Sequence, residues 1–390
     1  MHPGLSSARH HSLSELRFHI KYLRAATMDQ SSTRWTVTKI RNIVEDKFDK
    51  RPCWLQIQIA LALYAGKDVI ACAATGAGKT LSFWIPLLMA LEDGRDRMSI
   101  VVTPLNLLGK QNVKDLEKAG LTAIAVSGEN VNADTFMVSP GPRRVTGATE
   151  NCLHVFQDIE DGKYNVVIIN PELLMGSREV ETLWRKPKVT KRLLNFIFDQ
   201  GHCITQWGKF RDEYRLVGLL RYLIPETIPF YAASATFHQS VLQDVSEVLH
   251  LRHGKTEHII QSNDQPEIGL MARSLVFPAK SFRDLAFLIP DDFKEGDPPP
   301  PKFLIFFDNT KEAERAARYL RRCLPLSLQE NIKYFHSTMT SHYRENELDA
   351  LQDSCTWALC ATDAFGMVRC LVTSVLESFT HSLIIGDGPS

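Results

Sequence analysis

A candidate phosphate-binding segment lies at Asp68–Thr80, DVIACAATGAGKT, where an apolar run is followed by a glycine-rich turn. Val69–Cys72 is typical of a buried strand, and an apolar helical segment follows at Leu81–Leu91. Glycines in such a loop let backbone N–H groups close around phosphate oxygens, and the start of the next helix adds the positive end of its dipole. The sequence therefore predicts a nucleotide-phosphate site made of Thr75, Gly76, Ala77, Gly78, Lys79 and Thr80.

Two side chains of this loop have separate predicted roles. Lys79 would reach the β- and γ-phosphates, and the Thr80 hydroxyl would bind Mg²⁺. A second magnesium ligand is predicted at Asp199, because the apolar run Leu193–Asp199 ends in an acid at the carboxyl end of a strand. An ordinary turn is the alternative for the loop, and the strand before it and the helix after it disfavour that alternative.

A glutamine upstream of the loop is a candidate for adenine recognition. Gln56 lies in Arg51–Gly66, a predicted helix that leads into the phosphate-binding strand. A glutamine amide both donates to and accepts from the adenine edge. From its chemistry alone, however, Gln56 is expected to be a solvated helix residue.

The predicted secondary structure alternates between strand and helix along the chain. The predicted strands are Val69–Cys72, Ser99–Thr103, Leu121–Val126, Asn165–Ile169, Leu193–Asp199, Lys302–Phe307 and Ile332–His336. The predicted helices include Trp35–Phe48, Arg51–Gly66, Leu81–Leu91 and Asp308–Leu320. Alternation at this spacing predicts an α/β protein with doubly wound parallel sheets.

Composition and charge exclude several classes of protein. The 390 residues include 45 Lys and Arg and 45 Asp and Glu, so a contact with a polyanion must come from local patches. The eight cysteines form no C-x-x-C pair, which argues against a zinc site or a disulfide framework and suits a reducing compartment. No apolar run is long enough to span a bilayer.

Two charged stretches leave alternatives open. Residues 1–34 are predicted to be a disordered leader or a start upstream of the true one at Met28, with mitochondrial targeting as the alternative suggested by His, Arg and Ser content. Trp184–Arg192 carries five basic residues beside one indole. That run reads as a solvated charged turn, or else as a contact with a phosphate backbone.

The stretch that follows Asp199 points to a family. Phe198–Arg221 resembles the D-E-x-H box and the aromatic-rich loop of RecQ-type helicases of superfamily two. Other stretches resemble further motifs of that family in the same order. They are Arg51–Gln56, Thr103–Gln111 (motif Ia), Asn170–Glu172, Ser234–Thr236 (the S-A-T motif), Ser262–Pro266 (the crossover between domains), Asp308–Leu320 (motif IV), Ile332–His336 and Trp357–Met367 (motif V).

The resemblance implies an ATP-dependent DNA helicase with 3′–5′ polarity, acting in DNA repair and recombination in the nucleus. It implies two RecA-like P-loop NTPase domains, at 35–261 and 262–390, that use ATP and Mg²⁺ on single-stranded or forked DNA. By resemblance, the catalytic residues would be Lys79, Asp199 and Gln200, and Gln56 would read adenine. Nucleic acid would contact Thr103, Pro104, Trp207, Phe210, Arg211 and Thr362. Hydrolysis would be coupled to movement by His202, Ser234, Thr236 and Asp363.

The sequence also departs from the family pattern. Gln200 replaces the catalytic acid of the box, and losing a general base costs on the order of 10²–10⁴ in rate. After Met367 there is no G-x-D and no Q-x-x-G-R string. In the family this string supplies an arginine finger, which raises the rate of phosphoryl transfer by about 10³–10⁵. The second domain is therefore expected to be incomplete after motif V, without its last strand and helix, and no zinc-binding or winged-helix module follows.

Three functional interpretations remain at this point. The first is an active RecQ-like helicase. The second is a degenerate relative that binds ATP and DNA as a scaffold or switch with little hydrolysis. The third is an RNA-directed or purely structural descendant.

Overall fold

A computed structural model describes residues 35–104, 106–126, 149–208, 211–263, 269, 271–272, 274–362, 365 and 379–385. The predicted leader 1–34 lies outside these residues. The chain divides into two compact units, Met1–Pro52 and Cys53–Ser390. In the first unit, helix α1 (Val37–Phe48) begins after Thr36, whose hydroxyl accepts a hydrogen bond from the Lys39 N–H at 3.2 Å.

The second unit contains the remaining helices and all described strands. Its first helices and strands are α2 (Trp54–Tyr64), β1 (Asp68–Cys72), α3 (Lys79–Glu92), β2 (Met98–Val102), α4 (Asn106–Lys118), β3 (Ala123–Val126), α5 (Thr149–Glu160) and β4 (Val166–Ile169). Then come α6 (Pro171–Gly176), α7 (Arg178–Trp184), α8 (Pro187–Thr190), β5 (Leu193–Asp199), α9 (Cys203–Gln206), α10 (Glu213–Leu216), α11 (Leu220–Leu223), β6 (Phe230–Ser234), α12 (Gln239–Val248) and β7 (Thr256–Ile260). The last are β8 (Lys302–Phe307), α13 (Thr310–Arg322), β9 (Ile332–Phe335), α14 (Ser341–Gln352), β10 (Ala358–Ala361) and β11 (Phe379–Ile385).

The first sheet has seven parallel strands in the order β3-β4-β2-β5-β6-β1-β7. Strands β1, β2 and β4 are buried along their whole length, as expected for a parallel sheet covered on both faces. Because all strands run the same way, their carboxyl ends share one edge. The loop after β1 and the acid that ends β5 therefore lie at the same edge, separated by β6 alone.

Helices cover both faces of this sheet. On one face, Phe196, Phe198 and Phe230 pack with side chains of α7 and α12 in a single apolar cluster. On the other face, the Ser82 hydroxyl of α3 lies 2.9 Å from the Tyr231 hydroxyl of β6. Burying both faces is what makes the apolar runs of the sequence continuous instead of alternating.

The amino-end edge of the sheet holds a buried ionic cluster that sequence reasoning missed. Asp68 accepts hydrogen bonds from the Phe230 N–H (2.7 Å), from Arg221 Nη2 (3.1 Å) and from Arg252 Nη2 (2.8 Å). Burial alone would raise the pKa of Asp68, but the hydrogen bonds from Arg252 and Phe230 and the charge of Arg221 hold it below its usual range. This carboxylate ties the starts of β1 and β6 together.

A second, smaller sheet has four parallel strands in the order β11-β8-β10-β9. Its two faces bury separate apolar clusters, one against α13 and the other around Leu348 and Leu351 of α14. The prediction of an α/β, RecA-like fold with parallel sheets and helices is confirmed. The expectation that no further strand follows motif V was wrong, since Phe379–Ile385 pairs in parallel with β8.

The predicted elements lie close to the observed ones. The runs at 193–199 and 302–307 match β5 and β8 residue for residue, and the run at 99–103 begins one residue earlier as β2. The boundary proposed at 261/262 falls between β7 and β8 and stays a prediction. In the described ranges, no helix is long and apolar enough to cross a membrane.

Candidate nucleotide and nucleic-acid site

The loop between β1 and α3 has the backbone of a phosphate cradle. Gly76 and Gly78 adopt positive φ angles of 86° and 73°, which glycine reaches without steric cost. At Gly78 a Cβ atom would lie 2.5 Å from Gln56 Nε2, so a larger residue would collide with that side chain. Helix α3 starts at this glycine without a side-chain cap. Its first N–H groups are therefore oriented as phosphate donors, which fits the predicted ligand.

Lys79 is buried at the first position of α3. Its ammonium donates to the carbonyl oxygens of Ala73 at 2.8 Å and Ala74 at 3.0 Å. A phosphate group bound in the loop would compete with two neutral acceptors, and a charge-assisted hydrogen bond is about twice as strong as a neutral one. The position of Lys79 therefore suits the phosphate role predicted for it.

Gln56 is buried and not solvated, contrary to the expectation from its chemistry alone. Its Oε1 accepts from the Cys53 N–H at 2.8 Å, and its Nε2 donates to the Gly78 carbonyl at 2.8 Å. The amide thus connects the first turn of α2 to the glycine that begins α3. An amide carries two donors and two acceptor lone pairs, so half of its capacity is left for another partner such as a nucleobase.

Asp199 ends β5 at the same edge as the loop. Burial raises the pKa of Asp199 to about 6, while the Gln200 N–H and the nearby Lys79 charge act in the opposite direction. The Gln200 N–H donates to Asp199 Oδ1 at 2.9 Å, and Gln200 itself has a left-handed φ of 54°. The carboxylate is therefore desolvated beside a cation, which favours the arrival of a second positive charge.

The oxygen donors at this edge fit a magnesium ion. Mg²⁺ is usually bound by one or two carboxylates plus substrate phosphates, and it keeps several waters. Asp199 and the hydroxyl of Thr80, at the second position of α3, are such donors. Among the described residues, no group of three or more His, Cys, Asp or Glu side chains could hold a metal by itself. The oxygen atoms of Asp199 and Thr80 suit a metal that is also bound by the phosphates of a nucleotide.

Three predicted coupling residues form one hydrogen-bonded group. His202 Nδ1 lies 2.7 Å from the Ser234 hydroxyl, which accepts the Thr236 N–H at 3.0 Å. Burial, with a smaller effect of the Lys79 charge, lowers the pKa of His202. The group joins His202, which follows β5, to the end of β6. The fourth predicted member, Asp363, lies outside the described residues.

The predicted DNA-binding loop contains an aromatic and cationic stack. The Arg211 guanidinium lies 4.8 Å from the Trp207 ring centroid, and the Trp207 ring meets Tyr214 edge-on at 5.5 Å. Arg211 Nη1 also donates to Glu172 Oε1 at 2.9 Å. Glu172 was noticed in the sequence only as a motif landmark, and the structure places it against the loop. Phe210 lies outside the described residues.

The other predicted nucleic-acid contacts are dispersed. Thr103 is 2% exposed, so its side chain has almost no surface for a nucleic acid. Pro104 is half-buried beside it. Thr362, which follows β10, is half-buried, and its N–H donates to the Phe335 carbonyl at 3.1 Å. These positions belong to different sheets, and their assignment to DNA stays a prediction.

The basic run Trp184–Arg192 makes ion pairs and an aromatic contact with other residues of the protein. Trp184 is 2% exposed and packs edge-on against Phe196. Lys186 and Lys188 pair with Glu160 and Asp161 at 2.6 and 2.9 Å, while Arg185 and Arg192 pair with Glu181 and Asp96. These carboxylates compensate the positive charge locally. The structure therefore favours a structural charged segment over a phosphate contact.

Comparison with known proteins finds similarity to helicases. A family model described as DEAD/DEAH box helicase matches residues 54–245. The chain is 25% identical over 316 residues to the ATP-dependent DNA helicase Q-like 2 of Arabidopsis thaliana, covering 80% of this chain and 40% of that protein. It is 25% identical over 321 residues to the probable ATP-dependent DNA helicase RecS of Bacillus subtilis, covering 80% of this chain and 55% of that protein. The chain thus spans about half the length of these relatives or less.

Solved structures with the same fold include the DUF1998 helicase MrfA bound to DNA, at a TM-score of 0.57 and 13% identity over 87% of this chain and 45% of that one. Another is the helicase Lhr of Mycobacterium smegmatis bound to ssDNA and AMP-PNP, at a TM-score of 0.55 and 16% identity, covering 84% and 41%. Such low identity supports the fold alone. Taken with the matched helicase domain and the curated relatives, it makes the chain similar to RecQ-like helicases of superfamily two.

Proposed function

We propose that this chain couples the binding and hydrolysis of ATP to 3′–5′ movement along DNA and to the separation of its strands. The observation that carries the proposal is the shared edge of the seven-stranded sheet, where Lys79 and Asp199 lie close enough for the lysine charge to affect the pKa of the carboxyl. A phosphate cradle and a magnesium ligand at one edge are what phosphoryl transfer requires.

The roles of the nucleotide residues follow from their surroundings. Thr75–Thr80 would surround the phosphates with backbone N–H groups, and Lys79 would neutralise their charge. Thr80 and Asp199 would hold Mg²⁺, which supplies charge neutralisation between the phosphates when it is bound. Gln56 would use its remaining donor and acceptor on adenine. Gln200 would orient the attacking water without accepting its proton, so we expect slow turnover.

The nucleic-acid half of the proposal rests on the Trp207 loop. An indole face stacks on a base of any sequence, and a neighbouring guanidinium pairs with phosphate. Arg211 is held by Glu172, so a phosphate must compete with that carboxylate. Binding of DNA would break the ion pair between Arg211 and Glu172 and so change the contacts of the strand-end motif at Asn170–Glu172. His202, Ser234 and Thr236 would pass the consequence of hydrolysis between β5 and β6. A nuclear role in repair or recombination is the setting we propose for such a motor.

The test is phosphate release and strand displacement by the full chain on duplexes with a 3′ or a 5′ single-stranded overhang. We expect turnover that DNA stimulates and displacement only on the 3′-overhang substrate. Displacement on the 5′ substrate would overturn the polarity, and nucleotide and DNA binding with no stimulated turnover would favour the scaffold or switch.

A matched pair of variants isolates the loop. Arg211→Ala should weaken single-strand binding and DNA stimulation, because it removes a stacked cation. Arg215→Ala is the control, since Arg215 is similarly exposed and, like Arg211, pairs with a carboxylate, here Asp244 on α12 at 3.2 Å. Equal losses in both variants would mean that only general positive charge matters, and the loop would then not be the site.

A further inference from the structure

Thr103 carries an unexplained polar atom at the nucleotide edge of the sheet. Its side chain is 2% exposed, and its Oγ1 has no hydrogen-bond partner. An unsatisfied buried hydroxyl costs free energy, so its presence calls for a specific partner such as a water or an ion. The resemblance that suggested a DNA contact does not provide one, because the side chain does not reach the surface.

Strand register fixes the direction of this side chain. Ser99 pairs with Asn195 and Val101 pairs with Ile197 between β2 and β5. The Thr103 N–H donates to the Ile169 carbonyl at 3.0 Å, so the extended backbone continues through Thr103. Side chains two residues apart share a face of a strand. Thr103 therefore continues the Ser99 and Val101 face.

Asp199 continues the matching face of β5. It follows Asn195 and Ile197 at intervals of two, and the register places it opposite Thr103, one step beyond the pair Val102 and Phe198. Neighbouring strands lie about 4.8 Å apart. The unpartnered hydroxyl thus lies on the same face as the magnesium-binding carboxylate and next to it, without a direct hydrogen bond between them.

We propose that Thr103 is a positioning residue of the nucleotide site, whose hydroxyl holds the Asp199 carboxylate through one water in the orientation that accepts Mg²⁺. This assignment rests on the proposed function and replaces the predicted contact of Thr103 with DNA. Mg²⁺ keeps waters in its coordination shell, and those waters need acceptors around them. Outer-shell partners of this kind orient a metal's ligands.

The test measures the Mg²⁺ dependence of binding of a fluorescent, non-hydrolysable ATP analogue to the full chain. Thr103→Val keeps the shape and removes the hydroxyl, and we expect the half-saturating Mg²⁺ concentration to rise about 10-fold or more. Thr103→Ser keeps the hydroxyl and should stay close to the wild type. Affinity for a single-stranded oligonucleotide without nucleotide should be unchanged in both variants.

Ser99→Ala is the matched control. Ser99 Oγ is also buried and unpartnered on the same face, but it lies four residues before Thr103. Thermal unfolding should change little in either Thr103→Val or Ser99→Ala, while only the former should change the Mg²⁺ dependence. An unchanged Mg²⁺ dependence in Thr103→Val, or a loss of oligonucleotide binding instead, would overturn the assignment. If the wild type itself shows no Mg²⁺-dependent binding, the proposed function fails as well.

Discussion

Two aspartates at opposite edges of the seven-stranded sheet have opposite environments. Asp68 begins β1, and both of its oxygens accept hydrogen bonds from Arg252, with further bonds from Arg221 and Phe230. Asp199 ends β5 and accepts one backbone N–H, from Gln200, beside the buried Lys79. The pKa of Asp68 lies below its usual range, whereas that of Asp199 is raised to about 6.

The difference distinguishes a charge that is paired within the protein, at Asp68, from one that is available to a ligand, at Asp199. At the amino-end edge the Asp68 carboxylate has its counter-charges, Arg221 and Arg252, within the protein. At the carboxyl-end edge a lysine is satisfied by neutral carbonyls, a carboxylate is desolvated and a threonine hydroxyl has no partner. Groups left in this condition lower stability and are characteristic of sites that bind something.

The largest expected effect comes from removing the Asp68 carboxylate at the amino-end edge of the sheet. Asp68→Ala should lower the free energy of unfolding by about 3–5 kcal/mol, because it leaves Arg221 and Arg252 buried without their counter-charge. Urea unfolding measures this loss. Glu257→Ala is the control, since its pair with Lys67 is exposed and is worth about 0–1 kcal/mol. A loss no larger than that of the control would mean that the cluster is not a structural anchor.

The next largest effect comes from removing the Lys79 ammonium at the carboxyl-end edge of the sheet. Lys79→Ala should weaken the binding of Mg²⁺-ATP by about 100-fold or more, because a buried cation opposite the phosphates is removed. Calorimetric titration gives the affinity, and Lys67→Ala is the control because Lys67 is exposed at the other edge. An affinity equal to that of the wild type would contradict the nucleotide assignment.

Asp199→Asn should move stability in the direction opposite to Asp68→Ala. A carboxylate whose pKa is raised from 3.8 to about 6 is destabilised as an ion at neutral pH. Removing its charge should therefore raise the free energy of unfolding by about 1–3 kcal/mol in the absence of nucleotide. The same variant should lose Mg²⁺-dependent nucleotide binding. A drop in stability would show that Asp199 is a structural residue like Asp68.

The two aspartates should also differ in their pH dependence. For Asp199 the folded pKa is the higher one, so between pH 3.8 and about 6 the native state binds more protons and stability falls as pH rises. Mg²⁺-ATP binding should weaken as pH falls through about 6, where the carboxylate is protonated. For Asp68 the folded pKa is depressed, so its contribution is present above pH 3.8 and is lost as pH falls through the folded pKa. Unfolding and binding curves at several pH values, compared with those of Asp199→Asn, separate the two.

How far the sequence predicted these edges depends on the range of the interactions. The glycine-rich loop before α3, the strands at 193–199 and 302–307 and the alternation of elements are local patterns, and the structure contains all of them. The burial of Gln56 was not predicted, since it depends on Gly78, which is 22 residues away. The Asp68 cluster brings together residues more than 150 positions apart, and no spacing rule reports that. Glu172 was visible as a motif but not as the partner of Arg211, for the same reason.

The smallest expected effect concerns Gln200, which follows Asp199 at the carboxyl end of β5. Gln200→Glu keeps the size of the side chain and replaces a neutral amide with a carboxylate, which can accept a proton. Restoring a base typically gives on the order of 10²–10⁴ in rate when the other catalytic groups are present. Here residues 368–390 contain no Q-x-x-G-R string.

Because groups that act as a unit are strongly non-additive, the single change should raise steady-state phosphate release less than about tenfold. Gln200→Asn is the control, since it shortens the amide and supplies no base. Appending a segment with the family's arginines together with Gln200→Glu should exceed the product of the two separate gains. The arginines would oppose the charge that develops on the γ-phosphate while the glutamate takes the proton of the attacking water. An increase of a hundredfold from Gln200→Glu alone would mean that the edge already contains its remaining catalytic groups, and that the missing base is its one deficiency.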